Sequence, residues 1–340
     1  MVLLVEKLSK LYFKLENRHH HHHHHPQTDE LLSSSLHAFQ SHVSRFIGQL
    51  ALDLKPGTDQ TLSLTWFQRC FRLFPIINKA FAKLVVDIDY PMSRWENDSI
   101  EGYLSYTLSL LQLLNSISSS ISHLGQSKLS LAHGLSLLEK SPSLARKHLS
   151  AYLNSCSGLP ESILLSQKQL GGVAFPRINS PTNVRVYRVS KHPVKAGDDD
   201  KARILSGKER IVHEGIKEMK SVGFWVCGVV LSCLYGDARP YMELRKIAGG
   251  FESSSVATLD FKISEQLMEK MPMFGEIQEL NSFVAEVAAS DEVKRHEETT
   301  ELQTKLHEFE KLLDGMSKEV DNLFADVMTQ RSELINVFRF

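Results

Sequence analysis

The chain has 340 residues, with 39 Lys and Arg against 40 Asp and Glu, and 42% of its residues are hydrophobic. This length suits one large domain or two ordinary ones. A net charge of -1 excludes a disordered acidic tail or a basic nucleic-acid arm, so we expect no nucleic-acid partner. Four cysteines without a CxxC pair exclude a disulfide scaffold and a zinc ribbon, which favours a reducing, intracellular compartment.

Residues 1–26 form a variable N-terminal segment with its own composition. Residues 1–18 predict a short amphipathic helix that packs on the body or lies on a membrane surface, and Glu6 and Lys7 interrupt any secretory signal. Seven consecutive histidines follow, His19–His25. Imidazoles bind transition metals, but identical residues in a row impose no coordination geometry, so we favour a flexible linker or an expression tag over a metal site.

The N-terminal helical half is predicted over residues 27–157. Apolar residues recur every three or four positions in four stretches, which is one face of an α-helix. The stretches are residues 27–55, 62–88, 103–124 and 127–152. Proline removes a backbone donor and clashes with the preceding turn, so Pro75 predicts a break in the second stretch and Pro142 in the fourth. The polar face of the third stretch is largely serine, which suits either a closely approaching helix or a solvated face.

Residues 158–200 interrupt the helical pattern and predict an irregular linker, because proline, glycine and the acidic cluster Asp198–Asp200 break any long helix. A brief strand is predicted at residues 184–189. The C-terminal half, residues 201–340, packs on the first half in this interpretation, with breaks at Gly249-Gly250 and Pro272. The predicted fold is all-α: an antiparallel helical bundle of long amphipathic helices. The last helix, from Asp291, also has enough heptad character for a coiled coil.

Residues 221–236 form an uninterrupted apolar run between Lys220 and Asp237. Sixteen helical residues span about 24 Å, which is short of the roughly 30 Å hydrocarbon core, so we favour a buried core helix. The alternative is a single membrane span, because residues 177–220 carry eleven Lys and Arg against six Asp and Glu, a basic flank typical of a cytosolic side. The candidate core or membrane residues are Val222, Phe224, Trp225, Val226, Val229, Val230, Leu231 and Leu234.

Each candidate catalytic motif lacks a residue that its chemistry requires. His213-Glu214, His296-Glu297 and His307-Glu308 each begin an HExxH pattern, but the second histidine is missing in all three. The nucleophile-elbow, P-loop and GxGxxG patterns are also incomplete or missing. We therefore expect no enzymatic activity, no cofactor, no metal site and no small-molecule substrate.

Several packing motifs resemble one family. The N-terminal ones are Leu64-Thr65-Trp66, Pro91-Met92-Ser93-Arg94-Trp95-Glu96, Tyr103-Leu104 and Leu110–Asn115, and the C-terminal ones are Met316–Phe324 followed by Arg331. These stretches resemble the plant BYPASS-related proteins over about 31–157 and 204–340. The resemblance implies a mostly helical, plant-specific protein without a known enzymatic activity, linked to root and shoot development and to restraint of a root-derived mobile signal. It also implies membrane association in some relatives.

Two functional hypotheses remain open at this point. The first is a cytoplasmic, non-enzymatic regulatory or adaptor protein that offers helix faces to protein partners, with membrane association as a further property. The acidic residues 291–340, opposite in charge to residues 177–220, favour such contacts. The second is an integral membrane protein anchored by residues 221–236. An enzyme acting on the mobile signal is the least favoured interpretation, because the helical stripes offer almost no buried ionisable residue to line a pocket.

Overall fold

The computed structural model describes residues 27–52, 62–138, 140–156, 199–251, 254–269, 272–289 and 295–337. Within these ranges the chain consists of helices and short connections, without a strand, so the predicted all-α bundle is confirmed. The histidine run, the strand predicted at 184–189 and nearly all of the predicted linker lie outside the described residues.

The helices are numbered in chain order. They are α1 (Gln27–Leu52), α2 (Leu64–Phe71), α3 (Leu73–Asp87), α4 (Asn97–Ser136), α5 (Pro142–Cys156), α6 (Asp199–Tyr235), α7 (Arg239–Ala248), α8 (Ala257–Glu269), α9 (Gly275–Ala289) and α10 (Arg295–Val337). A single 3-10 turn, Met92–Arg94, connects α3 to α4.

The break expected near Pro75 is confirmed, and its position has a physical reason. Helix α2 ends at Phe71 and α3 begins at Leu73, so Pro75 is the third residue of α3. In one continuous helix Pro75 would have to donate to the carbonyl of Phe71, and it has no N–H to do so. In the first turn of a new helix that donor has no intrahelical partner in any case.

The stretch predicted over residues 103–124 and the first part of the stretch predicted over 127–152 form one helix. Helix α4 runs for 40 residues from Asn97, and its N-cap is Glu96, without a side-chain capping bond. Gly125 lies between the two predicted stretches and does not end the helix, because an interior glycine costs a helix only about 1 kcal/mol. The apolar stripe continues past it to the buried Leu131. The interruption expected at Pro142 is confirmed, since α5 begins there.

Helix α6 lies at the centre of the bundle. It contacts α1, α2, α3 and α4 from the N-terminal half of the chain, and α7 and α8 from the C-terminal half. Helix α4 packs along α6 and along α10, and α9 contacts both α5 and α10. Helices from the two halves therefore alternate in space, although the predicted domain division itself stays a prediction.

Hydrogen bonds join the two halves at the start of α2. The backbone N–H of Gly275 donates to the carbonyl of Leu62 over 2.9 Å. The N–H of Leu64 donates to both carboxylate oxygens of Glu276 at 3.0 Å, while Ser63 caps the same helix by accepting from Trp66. The first turn of α9 thus supplies one of the groups that satisfy the N-terminus of α2.

The last helix is fixed to the N-terminal half by polar contacts along its length. Arg331 donates to the carbonyl of Leu104 and, over 3.0 Å, to the hydroxyl of Thr107 on α4. About twenty residues earlier on α10, Glu310 pairs with Lys128 near the other end of α4. The two helices therefore run antiparallel, and Arg331 of the family-like C-terminal motif is one of the residues that hold them together.

Glycines on α6 allow its neighbours to approach closely. A Cβ added to Gly228 would lie 3.1 Å from the Cα of Tyr241, which is backbone of α7. A Cβ on Gly223 would lie 2.8 Å from the hydroxyl of Tyr106 on α4. These glycines, which lower the hydropathy of the apolar run, are explained by helix–helix contacts inside the protein.

We predict that Gly228→Val destabilises the protein by about 1 to 3 kcal/mol, because backbone of α7 cannot move aside for the new methyl groups. The matched control is Gly102→Ala on α4, where a new Cβ meets no atom within 4 Å. That variant should gain up to about 1 kcal/mol from helix propensity. Urea unfolding followed by circular dichroism measures both changes, and an unaffected Gly228→Val would contradict the close α6–α7 contact.

We also predict a pH dependence from Glu276. Burial raises the pKa of this carboxyl above its usual value of 4.5, and its backbone hydrogen bonds only partly oppose that effect. The native state then holds the proton more tightly than the unfolded chain, so stability falls as pH rises from the ordinary pKa through the raised one. Glu276→Gln keeps an acceptor oxygen and should remove this decline in the free energy of unfolding.

The exposed Glu286 on the same helix provides the control for this measurement. Glu286→Gln makes the same chemical change at an exposed position and should alter the free energy of unfolding by less than about 0.5 kcal/mol. If the free energy of unfolding varies with pH in the same way for Glu276→Gln and the unmodified protein, ionisation of Glu276 does not destabilise the folded state and the prediction is wrong.

Candidate functional site

The residues predicted as a core or membrane segment lie on the enclosed part of α6. All eight, from Val222 to Leu234, are between 0 and 6% exposed. Aromatic rings of the N-terminal half contact them: Trp225 meets Trp66 edge-on at 6.3 Å between centroids, and Phe224 lies 6.2 Å from Tyr106. The apolar run is therefore covered by protein on several sides rather than forming an exposed belt.

Among the described residues, one helical segment, Gly207–Tyr235 of α6, is long and apolar enough to cross a membrane, by length and composition only. A single helix of this kind is weak support for a membrane span, because core helices of soluble proteins meet the same criterion. In this bundle 89% of its most apolar window is buried inside the protein.

A buried carboxylate anchors the apolar helix to α7 and α8. Asp260 on α8 is 4% exposed and accepts hydrogen bonds from the indole N–H of Trp225 at 2.9 Å and from the hydroxyl of Tyr241 at 2.6 Å. The guanidinium of Arg245 lies 3.6 Å from the other carboxylate oxygen and donates to the Tyr241 hydroxyl at 3.0 Å. We call these four residues the Asp260 network.

The Asp260 network favours the neutral form of Tyr241. Burial, together with the hydrogen bond to Asp260 and the charge of that carboxylate, raises the pKa of Tyr241 above its usual value of 10.0. A neutral tyrosine can donate to the carboxylate and accept from Arg245 at the same time. A further bond joins α6 to α7, because the hydroxyl of Ser232 accepts from the backbone N–H of Tyr241 at 3.0 Å. The arrangement suits a structural anchor, since each polar group already has a partner.

An open cavity of about 390 Å³ lies beside the Asp260 network. Tyr241 and Arg245 form part of its wall, together with Met242, Lys246 and Met268. Met242 and Met268 are 48% and 56% exposed, so the cavity opens directly to the surface. The only network residues that reach it are already engaged with Asp260.

A second cavity, of about 380 Å³, lies between α1 and α3 in the N-terminal half of the chain. We call it the α1–α3 groove and define it by residues 35–46 of α1 and 76–87 of α3. Phe39 and Leu84 are buried in it, and Lys79 and Lys83 are exposed along it. Its surface is mostly apolar, with a basic edge on α3.

Cys70, Cys227 and Cys233 are all buried. Cys227 and Cys233 are buried in α6, and burial raises the pKa of both thiols, which keeps them protonated and unreactive. Within the described ranges no group of three or more His, Cys, Asp and Glu side chains could hold a metal ion. The histidine run falls outside these ranges.

Sequence reasoning located the apolar helix but missed the Asp260 network. A signal was available: Asp260 interrupts an apolar stripe formed by Val256, Ile263 and Leu267, all of which are buried. A charged residue within such a stripe is rarely buried without a partner. Its partners, Trp225 and Tyr241, come from different helices, and no local pattern identifies them.

The chain is similar to three curated plant proteins. Two are called UPF0496 protein 4, from Oryza sativa subsp. indica and subsp. japonica, and are 24% and 23% identical over 228 and 235 residues. Each match covers 64% of this chain and 45% of the relative, so the chain spans about half the length of these relatives. The third is Protein BPS1, chloroplastic, from Arabidopsis thaliana, 27% identical over 104 residues, or 31% of this chain and 29% of that protein.

The chain resembles the plant BYPASS-related proteins. The resemblance first seen in its packing motifs is thereby confirmed, at modest identity. None of the three names states an enzymatic activity. No family model matches the chain, and no solved structure matches it.

We predict that Asp260→Ala destabilises this BYPASS-like bundle by about 3 to 5 kcal/mol, because the indole of Trp225, the hydroxyl of Tyr241 and the guanidinium of Arg245 lose their shared acceptor. Glu265→Ala, at an exposed position of the same helix, should change stability by less than about 0.5 kcal/mol. Chemical denaturation measures both variants. Equal stabilities would show that the network contributes little to the attachment of α7 and α8.

Proposed function

We propose that this chain is a non-enzymatic regulatory or adaptor protein of plants, of the BYPASS-related type, which acts through contacts with other proteins. The observation that carries the proposal is the similarity to BPS1 and the UPF0496 proteins. The proposed biological role is in root and shoot development and in control of a root-derived mobile signal. It rests on the family resemblance alone.

The geometry supports a binding role more than a catalytic one. The buried polar residues of the Asp260 network are paired with one another, which leaves them without a group poised for acid–base chemistry. The two cavities described above open to the surface, and one is mostly apolar with exposed lysines beside it. Surfaces of this kind suit protein partners.

The proposed location is the cytoplasm, with association at the cytosolic side of a membrane as an additional property. The alternative, a single span formed by residues 221–236, would have to release α6 from the helices that cover it. One relative carries the word chloroplastic in its name. Fluorescent fusions at either end of the intact chain distinguish the cytoplasm, the chloroplast and a membrane as locations.

The proposal predicts a direct, reproducible protein partner in plant tissue. The full chain is tagged at either terminus, expressed in plants that lack the endogenous copy, and purified with its bound proteins. An unrelated tagged helical protein serves as the control. Each protein enriched over that control is then produced in pure form. We expect at least one to bind the purified chain in calorimetry, and we expect loss of the chain to alter root or shoot growth. Failure to find a binary partner, or unaltered growth, would contradict the adaptor role.

A further inference from the structure

The α1–α3 groove has the surface chemistry of a helix-binding site. Phe39 and Leu84 are 4% and 1% exposed and form its floor, and Phe46, Ile76 and Ala80 are partly buried along its sides. Ring contacts hold the floor in place, since Phe39 packs edge-on against Phe81 with centroids 6.3 Å apart. The groove is therefore apolar and supported from below.

The dimensions of the groove match a short helix. On α1 it extends from Ser35 to Phe46, which is about 17 Å at 1.5 Å per residue, or three helical turns. Ala38 and Ala80 provide small side chains on the two facing helices, so a third helix can approach closely. Leu31, one turn before Ser35 on α1, is 64% exposed and extends the apolar surface at that end.

The charges along the groove are mainly basic. Lys79 and Lys83 lie one turn apart on α3, and neither has an ion-pair or hydrogen-bond partner among the described residues. Arg45 lies outside the lining, with its guanidinium 5.2 Å from the centre of the Phe46 ring. The only carboxylate in the lining is Asp87, at the C-terminal end of α3.

We propose that the α1–α3 groove binds an acidic amphipathic helix of a partner protein. Apolar residues of the partner, spaced at i, i+4 and i+7, contact Ala38, Phe46 and Ile76. Its acidic residues lie opposite Lys79 and Lys83. The inference rests on the proposed adaptor function and specifies the chemistry of its partner.

Charge argues against the chain's own N-terminal segment as the occupant. Residues 1–18 combine an apolar stripe with four Lys and Arg against two Glu, so they would place cations beside Lys79 and Lys83. An anionic membrane surface would satisfy the lysines. It is flat, however, and cannot enter the groove between α1 and α3 to contact Phe46 and Ile76.

The test uses the full chain and a synthetic 15-residue helical peptide with leucines at i, i+4 and i+7 and glutamates on both flanks. A second peptide replaces every glutamate by lysine. Fluorescence anisotropy should show that the acidic peptide binds at least tenfold more tightly than the basic one. The double variant Lys79→Glu, Lys83→Glu should reverse this preference.

Two further variants separate the groove from general charge effects. The double variant Lys311→Glu, Lys318→Glu makes the same change of net charge at two exposed lysines of α10. Its affinity for the acidic peptide should equal that of the unmodified chain. Ala38→Trp fills the groove from its exposed side without a change of charge, and should weaken binding of the acidic peptide at least tenfold. Equal binding of both peptides, or equal effects of the two double variants, would overturn the proposal.

Competing occupants are tested in the same way. The proposal would also be overturned if a peptide of residues 1–18 bound more tightly than the acidic peptide. The same holds if the chain bound phosphatidylserine vesicles through Lys79 and Lys83 and did not bind the acidic peptide. The adaptor function is judged separately. If plant partners bind the intact chain and the Lys79→Glu, Lys83→Glu variant equally well, the groove proposal fails while the adaptor function stands.

Discussion

Enclosure of the apolar part of α6 is the interaction on which the rest of the fold depends. Helices from both halves of the chain cover this segment, and each fully buried Val, Leu or Phe side chain contributes about 1.5 to 3 kcal/mol. Gly223 and Gly228 let Tyr106 and the backbone of α7 approach within van der Waals distance. Neither half could cover α6 alone, so the two halves stabilise each other.

Polar groups inside this core restrict how the helices can pack. Asp260 needs partners because a buried, unpaired carboxylate is very costly, and it finds them in Trp225, Tyr241 and Arg245. The carboxyl group of Glu276 likewise accepts a hydrogen bond from the backbone N–H of Leu64 at the N-terminus of α2. These directional contacts fix the positions of α7, α8 and α9 relative to the N-terminal half. The outer surface of α1 and α3 is then left uncovered by the described helices.

Much of the fold followed from local patterns in the sequence. Apolar periodicity predicted the helices, and Pro75 and Pro142 predicted two interruptions, because both signals act within one or two turns. The continuity of α4 through Gly125 was missed, since burial of residues on either side outweighs a small local cost. The Asp260 network and the α1–α3 groove depend on side chains from separate helices, so no spacing rule could reveal them.

Alkaline carbonate extraction of plant membranes tests the enclosure of α6 most directly. Residues 221–236 cannot be covered by the chain's own helices and lie in lipid at the same time. We therefore expect the full-length protein in the supernatant, together with peripheral marker proteins. Retention in the pellet with an integral marker would contradict the account, because α6 would then have to lie in lipid rather than among α1, α4 and α7.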